Sequence, residues 1–180
     1  LYPKIEIELQ SNDQIIDLLE NKTDIAFRFG ALNDSSLHHK LVCTSRLYIV
    51  ASPDYLKTNG TPTQAAELLQ HACIGFIHPR HLNTWPLKLN GKNITVKPTL
   101  KASNGETVRQ LALLGHGITC LSAFMIRKDL QAGSLIALFE DQIDLHIQPI
   151  HAVYYQQEHL PKRIRLFIDF LVAKLHDEPV

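Results

Sequence analysis

The chain has 180 residues, 45% apolar and 20% charged, with eighteen Lys+Arg set against eighteen Asp+Glu. That length suits one large domain or two small ones, and the composition is that of a folded globular protein rather than a disordered tail. Zero net charge argues against gripping a phosphate backbone by bulk charge, and no unbroken run of roughly 18 apolar residues could span a membrane.

The three cysteines, Cys43, Cys73 and Cys120, are odd in number and far apart. They read as reduced thiols packed as small hydrophobes rather than a disulfide framework. The closest histidine groupings are His38-His39, His71-x-Cys73 and His78-x-x-His81. None has the paired spacing of a zinc site, so neither a metal nor a cofactor is expected.

In chain order, Lys4-Ile5-Glu6-Ile7-Glu8-Leu9 alternates strictly and predicts a strand with one wet or partner-facing side. Ser11-Asn12-Asp13 supplies capping oxygens for a helix that carries Ile15, Ile16, Leu18 and Leu19 and closes at Asn21-Lys22. Asp24 to Gly30 reads as the next strand, making a βαβ unit. Leu47–Ala51 is a third strand, stopped by Ser52-Pro53, and Thr61-Pro62 opens a helix through Ala65 and Leu69. Cys73–Ile77 is a short strand, and residues 78–97, rich in Pro, Asn and Gly, read as hairpins or loop. Ser103 and Glu106 have capping-box spacing ahead of a helix with Val108, Leu111, Ala112 and Leu114 inward, ended by Gly115-His116-Gly117. A strand at 118–121, a helix at 123–130 and strands at 135–138 and 150–155 follow. Pro161 starts a last helix with Ile164, Phe167, Ile168, Leu171 and Leu175 on its apolar side. The alternation predicts an α/β fold with a mostly parallel sheet and a ligand site at the carboxyl ends of its strands.

Several stretches together resemble one family: Tyr2-Pro3-Lys4-Ile5-Glu6-Ile7-Glu8-Leu9, Asp24-Ile25-Ala26-Phe27-Arg28-Phe29-Gly30 and Val50-Ala51-Ser52-Pro53-Asp54-Tyr55-Leu56. Leu69-x-His71-x-Cys73-Ile74, Ser103-Asn104-Gly105-Glu106, Leu114-Gly115-His116-Gly117-Ile118 and the run from His159 to Leu171 complete the set. In that order they are similar to the effector-binding domain of bacterial LysR-type transcriptional regulators. The resemblance implies two Rossmann-like lobes, like those of type 2 periplasmic binding proteins, joined by two crossovers near 51–53 and 150–154. Residues 1–52 plus 155–180 would form lobe I and residues 53–154 lobe II. It further implies that the family's helix-turn-helix and the domain's first strand and helix lie upstream, so that the chain is a fragment unable to bind an operator alone.

The candidate effector contacts are Phe27, Arg28, Phe29 and Gly30, then Phe76, then Ser103, Asn104 and Gly105, then Gly117 and Ile118. Ser103–Gly105 precede a helix N-terminus, which favours an anionic group, and Arg28 can clamp a carboxylate. Plain capping, surface ion pairing and core packing are the competing roles for the same residues. Trp85 could wall the pocket or sit in the core. No catalytic or phosphate-binding fingerprint is present, so no enzyme activity is expected. The resemblance implies a cytoplasmic, homodimeric or tetrameric sensor of a small metabolite, paired through Lys4–Leu9 and the helix after Asn104, with promoter DNA bound only by the segment upstream. A periplasmic solute-binding protein for transport is the alternative on the same fold, and a transferase a remoter one.

Overall fold

The structure, a computed structural model, describes residues 5–10, 18, 22–30, 32, 37–143, 147–155 and 161–176. After β1 (Ala26–Phe29) comes β2 (His38–Ala51), fourteen residues long and the organising element of the fold. Residues 38–46 of β2 lie antiparallel to β9 (Ile147–Tyr154), whose other edge carries β1. Residues 47–51 instead lie between β7 (Thr119–Ser122) and β8 (Ile136–Leu138). The strand therefore exchanges partners between Arg46 and Leu47.

The first half of β2 is covered by α4 (Lys162–His176). Ile164 and Ile168 of that helix bury against Val42 and Ala152, which realises the apolar stripe read from the sequence. At the solvent edge Lys40 Nζ reaches Asp169 Oδ1 at 2.6 Å. The second half of β2 contributes to two further cores. One gathers Ile49, Trp85, Leu87 and Ile118, and the other Val50, Ile74, Val108, Leu121 and Ile126.

Around these cores run α1 (Pro53–Asn59), the parallel pair β3 (Ile74–Phe76) and β6 (Leu100–Ala102), and the hairpin β4 (Thr84–Leu89) and β5 (Lys92–Thr95). The hairpin turns at Asn90-Gly91, both at positive φ (53° and 78°), the pairing that a two-residue type I′ turn requires. Helices α2 (Gly105–Leu113) and α3 (Ala123–Ala132) pack together through Arg109, whose guanidinium forks onto Asp129 at 2.6 and 2.7 Å. Burial pushes the Cys73 thiol up to about 11 and Cys120 up to about 12, so both stay protonated near neutrality and pack as small hydrophobes.

Several expectations need correcting. The described strand pairs are mostly antiparallel, β3–β6 excepted, because β2 and β9 are long neighbours running in opposite directions. Residues 5–10 form no strand, since no described neighbour offers them a ladder; Ile5 and Ile7 lie beside Leu166, Phe167 and Phe170 of α4 instead. The helix expected over 11–22 lies almost wholly outside the described residues. Ser52-Pro53 does not merely stop a strand: Ser52 Oγ accepts from Tyr55 N and opens α1. The helix from Ala65 is a 3-10 turn to Gln70, closed by Gln64 and Glu67. Asn104, not Ser103, caps α2, accepting from Thr107 N at 2.8 Å. Glu106 turns to Arg109 instead of closing a capping box. Leu114 is the C-cap and is exposed rather than inward, because the helix ends one residue before it.

Candidate functional site

The expected site residues fall into three groups, and the first turn of α3 touches two of them. Phe27, Arg28 and Phe29 are on β1, which Gly30 leaves at φ 90° with its amide donating to Pro149 O. The Phe29 ring stacks on Phe124, the second residue of α3, with centroids 5.6 Å apart and planes 15° from parallel. Both rings remain open to solvent, so this is a lined surface rather than core. The second group is Phe76, Ser103, Asn104 and Gly105. Phe76 is in register with Ala102, which places it at the carboxyl edge of the parallel pair, beside the turn into α2. A Cβ on Gly105 would lie 2.7 Å from Met125 Cε, so the flexible tip of the Met125 side chain rests against the start of α2. Phe124 and Met125 thus bring β1 and the start of α2 to one place.

Gly117 and Ile118 are held elsewhere. Ile118 is wholly buried in the core with Cys73 and Trp85. Its amide donates to Ala72 O at 2.9 Å, and Gly117 packs directly against that carbonyl. Trp85 is 1% exposed and belongs to the same core, not to a pocket wall.

Three polar residues that sequence reasoning missed complete the junction. Ser45, Ser122 and Gln148 are 0%, 6% and 8% exposed. Ser122 Oγ donates to Gln148 Oε1 at 2.6 Å, and Phe124 N donates to Ser45 Oγ at 3.4 Å. Ser45 and Gln148 are opposite each other across β2 and β9, while Ser122 ends β7. This buried polar set therefore sits where β2 exchanges partners, and Ser45 rather than the N-cap residue Ser122 accepts from the first turn of α3. Arg46, next along β2, stacks its guanidinium 5.0 Å over the Tyr48 ring, and its buried Nε has no hydrogen-bond partner among the described residues. A buried donor left unpaired carries a desolvation cost. Among the described residues no group of three or more His, Cys, Asp or Glu could hold a metal ion.

Arg28 is in register with His151 on β9, and His151 meets His39 of β2 edge-on at 5.5 Å. His151 is held below the ordinary histidine value of 6.5, chiefly because burial penalises the imidazolium and secondarily because of His39; a hydrogen bond to the Gly30 backbone acts in the opposite sense. A histidine depressed in the folded state lets the unfolded chain take up its proton first. Stability is therefore complete above 6.5 and declines as pH falls through the folded value. Melting temperatures measured from pH 7.5 down to 5 should drop more steeply for the wild type than for His151→Gln; superimposable profiles would remove His151 as the cause.

The family model for the LysR substrate binding domain matches residues 1–176. The chain belongs to that family. It is 43% identical over 175 residues to the HTH-type transcriptional regulator CrgA of Neisseria meningitidis, covering 97% of this chain and 58% of CrgA. It is 31% identical over 180 residues to PtxR of Pseudomonas aeruginosa, covering 99% of this chain and 57% of that regulator. The chain thus spans less than two thirds of the curated relatives it matches. The solved regulatory domain of CrgA superposes with a TM-score of 0.90 at 43% identity, covering 97% of this chain and 86% of that one. The effector domain of AmpR from Pseudomonas aeruginosa superposes at 0.80 with 17% identity, over 99% of this chain and 84% of that one, a likeness of fold. The domain accordingly has the two-lobed, periplasmic-binding-protein-like α/β fold of LysR effector-binding domains. These relatives are transcriptional regulators, and they lend no support to a transport solute-binding protein. No described helix is long and apolar enough to cross a membrane.

Proposed function

We propose that this domain is the metabolite sensor of a cytoplasmic transcriptional regulator, without enzyme activity, and that its effector is a small carboxylate held beside the first turn of α3. We divide the lobes by strand partners, with β1, residues 38–46 of β2, β9 and α4 in one and residues 47–143 in the other. The observation that carries this reading is the junction itself. The Phe29–Phe124 stack and the Ser122–Gln148 hydrogen bond both join the two halves at the point where β2 changes partners.

Arg46 supplies positive charge beside that point and has no acidic partner among the described residues; Arg28, in register with His151, alternates to the other face of β1 from Phe29. Planar guanidinium groups suit a carboxylate, which accepts two parallel hydrogen bonds. An effector bound more tightly by one angle of the lobes shifts the pair toward that angle, and a coupling of about 1–3 kcal/mol is enough. In the whole protein this change would move a DNA-binding segment outside this chain through a homodimer or tetramer. The exposed row Ile5, Ile7 and Leu9 supports a partner-facing edge for that pairing.

A thermal-shift screen of small carboxylic acids and amino acids tests the reading. At one hundred times its dissociation constant a true effector stabilises the fold by about 2.7 kcal/mol. Phe124→Ala and Arg46→Gln should each weaken the best binder about tenfold or more, whereas Leu69→Ala, exposed on a remote 3-10 turn, should not. No binder, or a binder indifferent to Phe124 and Arg46, would sink the site.

A further inference from the structure

Zero net charge conceals a strong segregation. Between Glu67 and Glu106 the sequence contains no acidic residue, yet it carries Arg80, Lys88, Lys92, Lys97 and Lys101 together with His71, His78 and His81. The other thirteen Lys and Arg share the rest of the chain with all eighteen Asp and Glu. The bracketing acids are themselves engaged: Glu67 accepts from Thr63 N and Gln64 N, and Glu106 pairs with Arg109.

The fold gathers this stretch onto one side. Asn83, at the end of the 3-10 turn Arg80–Asn83, binds both the N–H and the carbonyl of Phe76 at 2.8 and 2.9 Å. A Cβ on Gly75 would strike both Asn83 and Pro98, so the Arg80 turn and the Lys97-Pro98 segment converge on β3. Lys101 is in register with Gly75 on the neighbouring strand. From there the β4–β5 hairpin extends the cationic stretch to Lys92 at its turn, about 20 Å away at the rise of a strand. Because Trp85, Leu87, Ile94 and Val96 turn inward, the outer side of the hairpin presents Thr84, Lys88, Asn93, Thr95 and Lys97, all exposed. Glu140 and Asp141 come just before Ile143, which bridges Leu87 of β4.

We propose that this face, from Arg80 through the β4–β5 hairpin to Lys101, is a second, sequence-independent contact surface for the backbone of duplex DNA. Ammonium and guanidinium groups interspersed with hydroxyl and amide side chains are the donors that hold phosphate oxygens. An acidic protein partner fits less well, because its interface would need an aromatic or apolar anchor, and the outer side of the hairpin exposes none, Leu100 being the one large apolar side chain exposed between Arg80 and Lys101. The single tryptophan is 1% exposed, so it offers this face no platform for stacking unpaired bases. The surface concerns DNA flanking whatever site the whole regulator reads, and it does not depend on effector binding.

Fluorescence anisotropy of the 180-residue chain with a labelled duplex of arbitrary sequence, titrated from 20 to 200 mM salt, tests this. Engaging Arg80, Lys92, Lys97 and Lys101 gives a slope of log affinity against log salt of about −3 to −4. The combined variant Lys92→Gln, Lys97→Gln, Lys101→Gln should reduce that slope by about three and weaken binding more than tenfold at low salt. The control Lys57→Gln, Lys128→Gln, Lys174→Gln removes the same net charge from exposed positions elsewhere and should bind as the wild type does. Melting curves establish that both variants are folded, as expected for exposed sites. The proposal is overturned if the duplex does not bind at 20 mM salt, if the control weakens binding as much as the face variant, or if poly-glutamate binds as tightly as DNA, which would point to an acidic protein instead.

Discussion

Trp85→Ala should lower the unfolding free energy by about 3–5 kcal/mol, a large part of the total that a domain of this size possesses. Trp85 is 1% exposed and lies among Ile49, Leu87, Ile94 and Ile118, with Tyr55 and Leu56 of α1 in the same core. Truncation removes the largest buried side chain there and leaves a space that rigid strands on several sides cannot close. Urea unfolding followed by far-ultraviolet circular dichroism measures the loss as a shift in midpoint at unchanged slope. Dichroism is the suitable probe because Trp85 is the chain's one tryptophan and its fluorescence disappears with it. A loss under about 1 kcal/mol would mean that Trp85 lines an open pocket, the role weighed for it from sequence, rather than the core.

What could be read from the sequence was what depends on neighbours a few residues apart. Val108 and Ala112 announce α2, and Ile164 and Ile168 announce α4, because four residues return a helix to the same side. The turn into α2 was legible as a helix start, though not which residue caps it: Ser103 and Asn104 are both good caps, and only the backbone path selects Asn104. The fourteen-residue β2 was legible only over 47–51. Its first half mixes His38, His39 and Lys40 with Thr44, Ser45 and Arg46, because part of it faces solvent and part the junction. The same holds for α1, whose cap and first-turn proline are good helix signals but equally end a strand.

The junction was legible only in part. Phe29 and the turn into α2 came from resemblance to a family, while Phe124, Met125, Ser45, Ser122 and Gln148 came from nothing in the order of residues. Ser45 and Gln148 are about a hundred positions apart and meet because β2 and β9 are adjacent, a fact of topology with no local spacing to betray it. The one available signal was a serine directly after a buried strand and before a helix, as at Ser122. That pattern reads as a cap, and here the hydroxyl is spent on Gln148 instead. The cationic face was equally hidden, because composition sums over the whole chain what the fold separates.

Gly117→Ala separates packing from ligand contact at a residue that both readings claim. A Cβ there would lie 2.4 Å from Ala72 O and 3.0 Å from Ala72 C, and the φ of 156° is strained for any side chain. The backbone cannot retreat without loss, because Ile118 N donates to that same carbonyl and Ile74 N donates to Ile118 O, at 2.9 and 2.8 Å. The variant should lose about 2–4 kcal/mol from overpacking and disrupted strand contact. Gly60→Ala is the comparison: φ is 83° but nothing lies within 4 Å, so only the conformational term remains, about 1 kcal/mol. Urea midpoints for the two variants, with effector titrations on each, decide between the roles. A Gly117 variant of near wild-type stability that no longer takes up effector would make Gly117 a ligand contact; a destabilised variant whose remaining folded fraction binds normally makes it a strand contact, as its position against Ala72 requires.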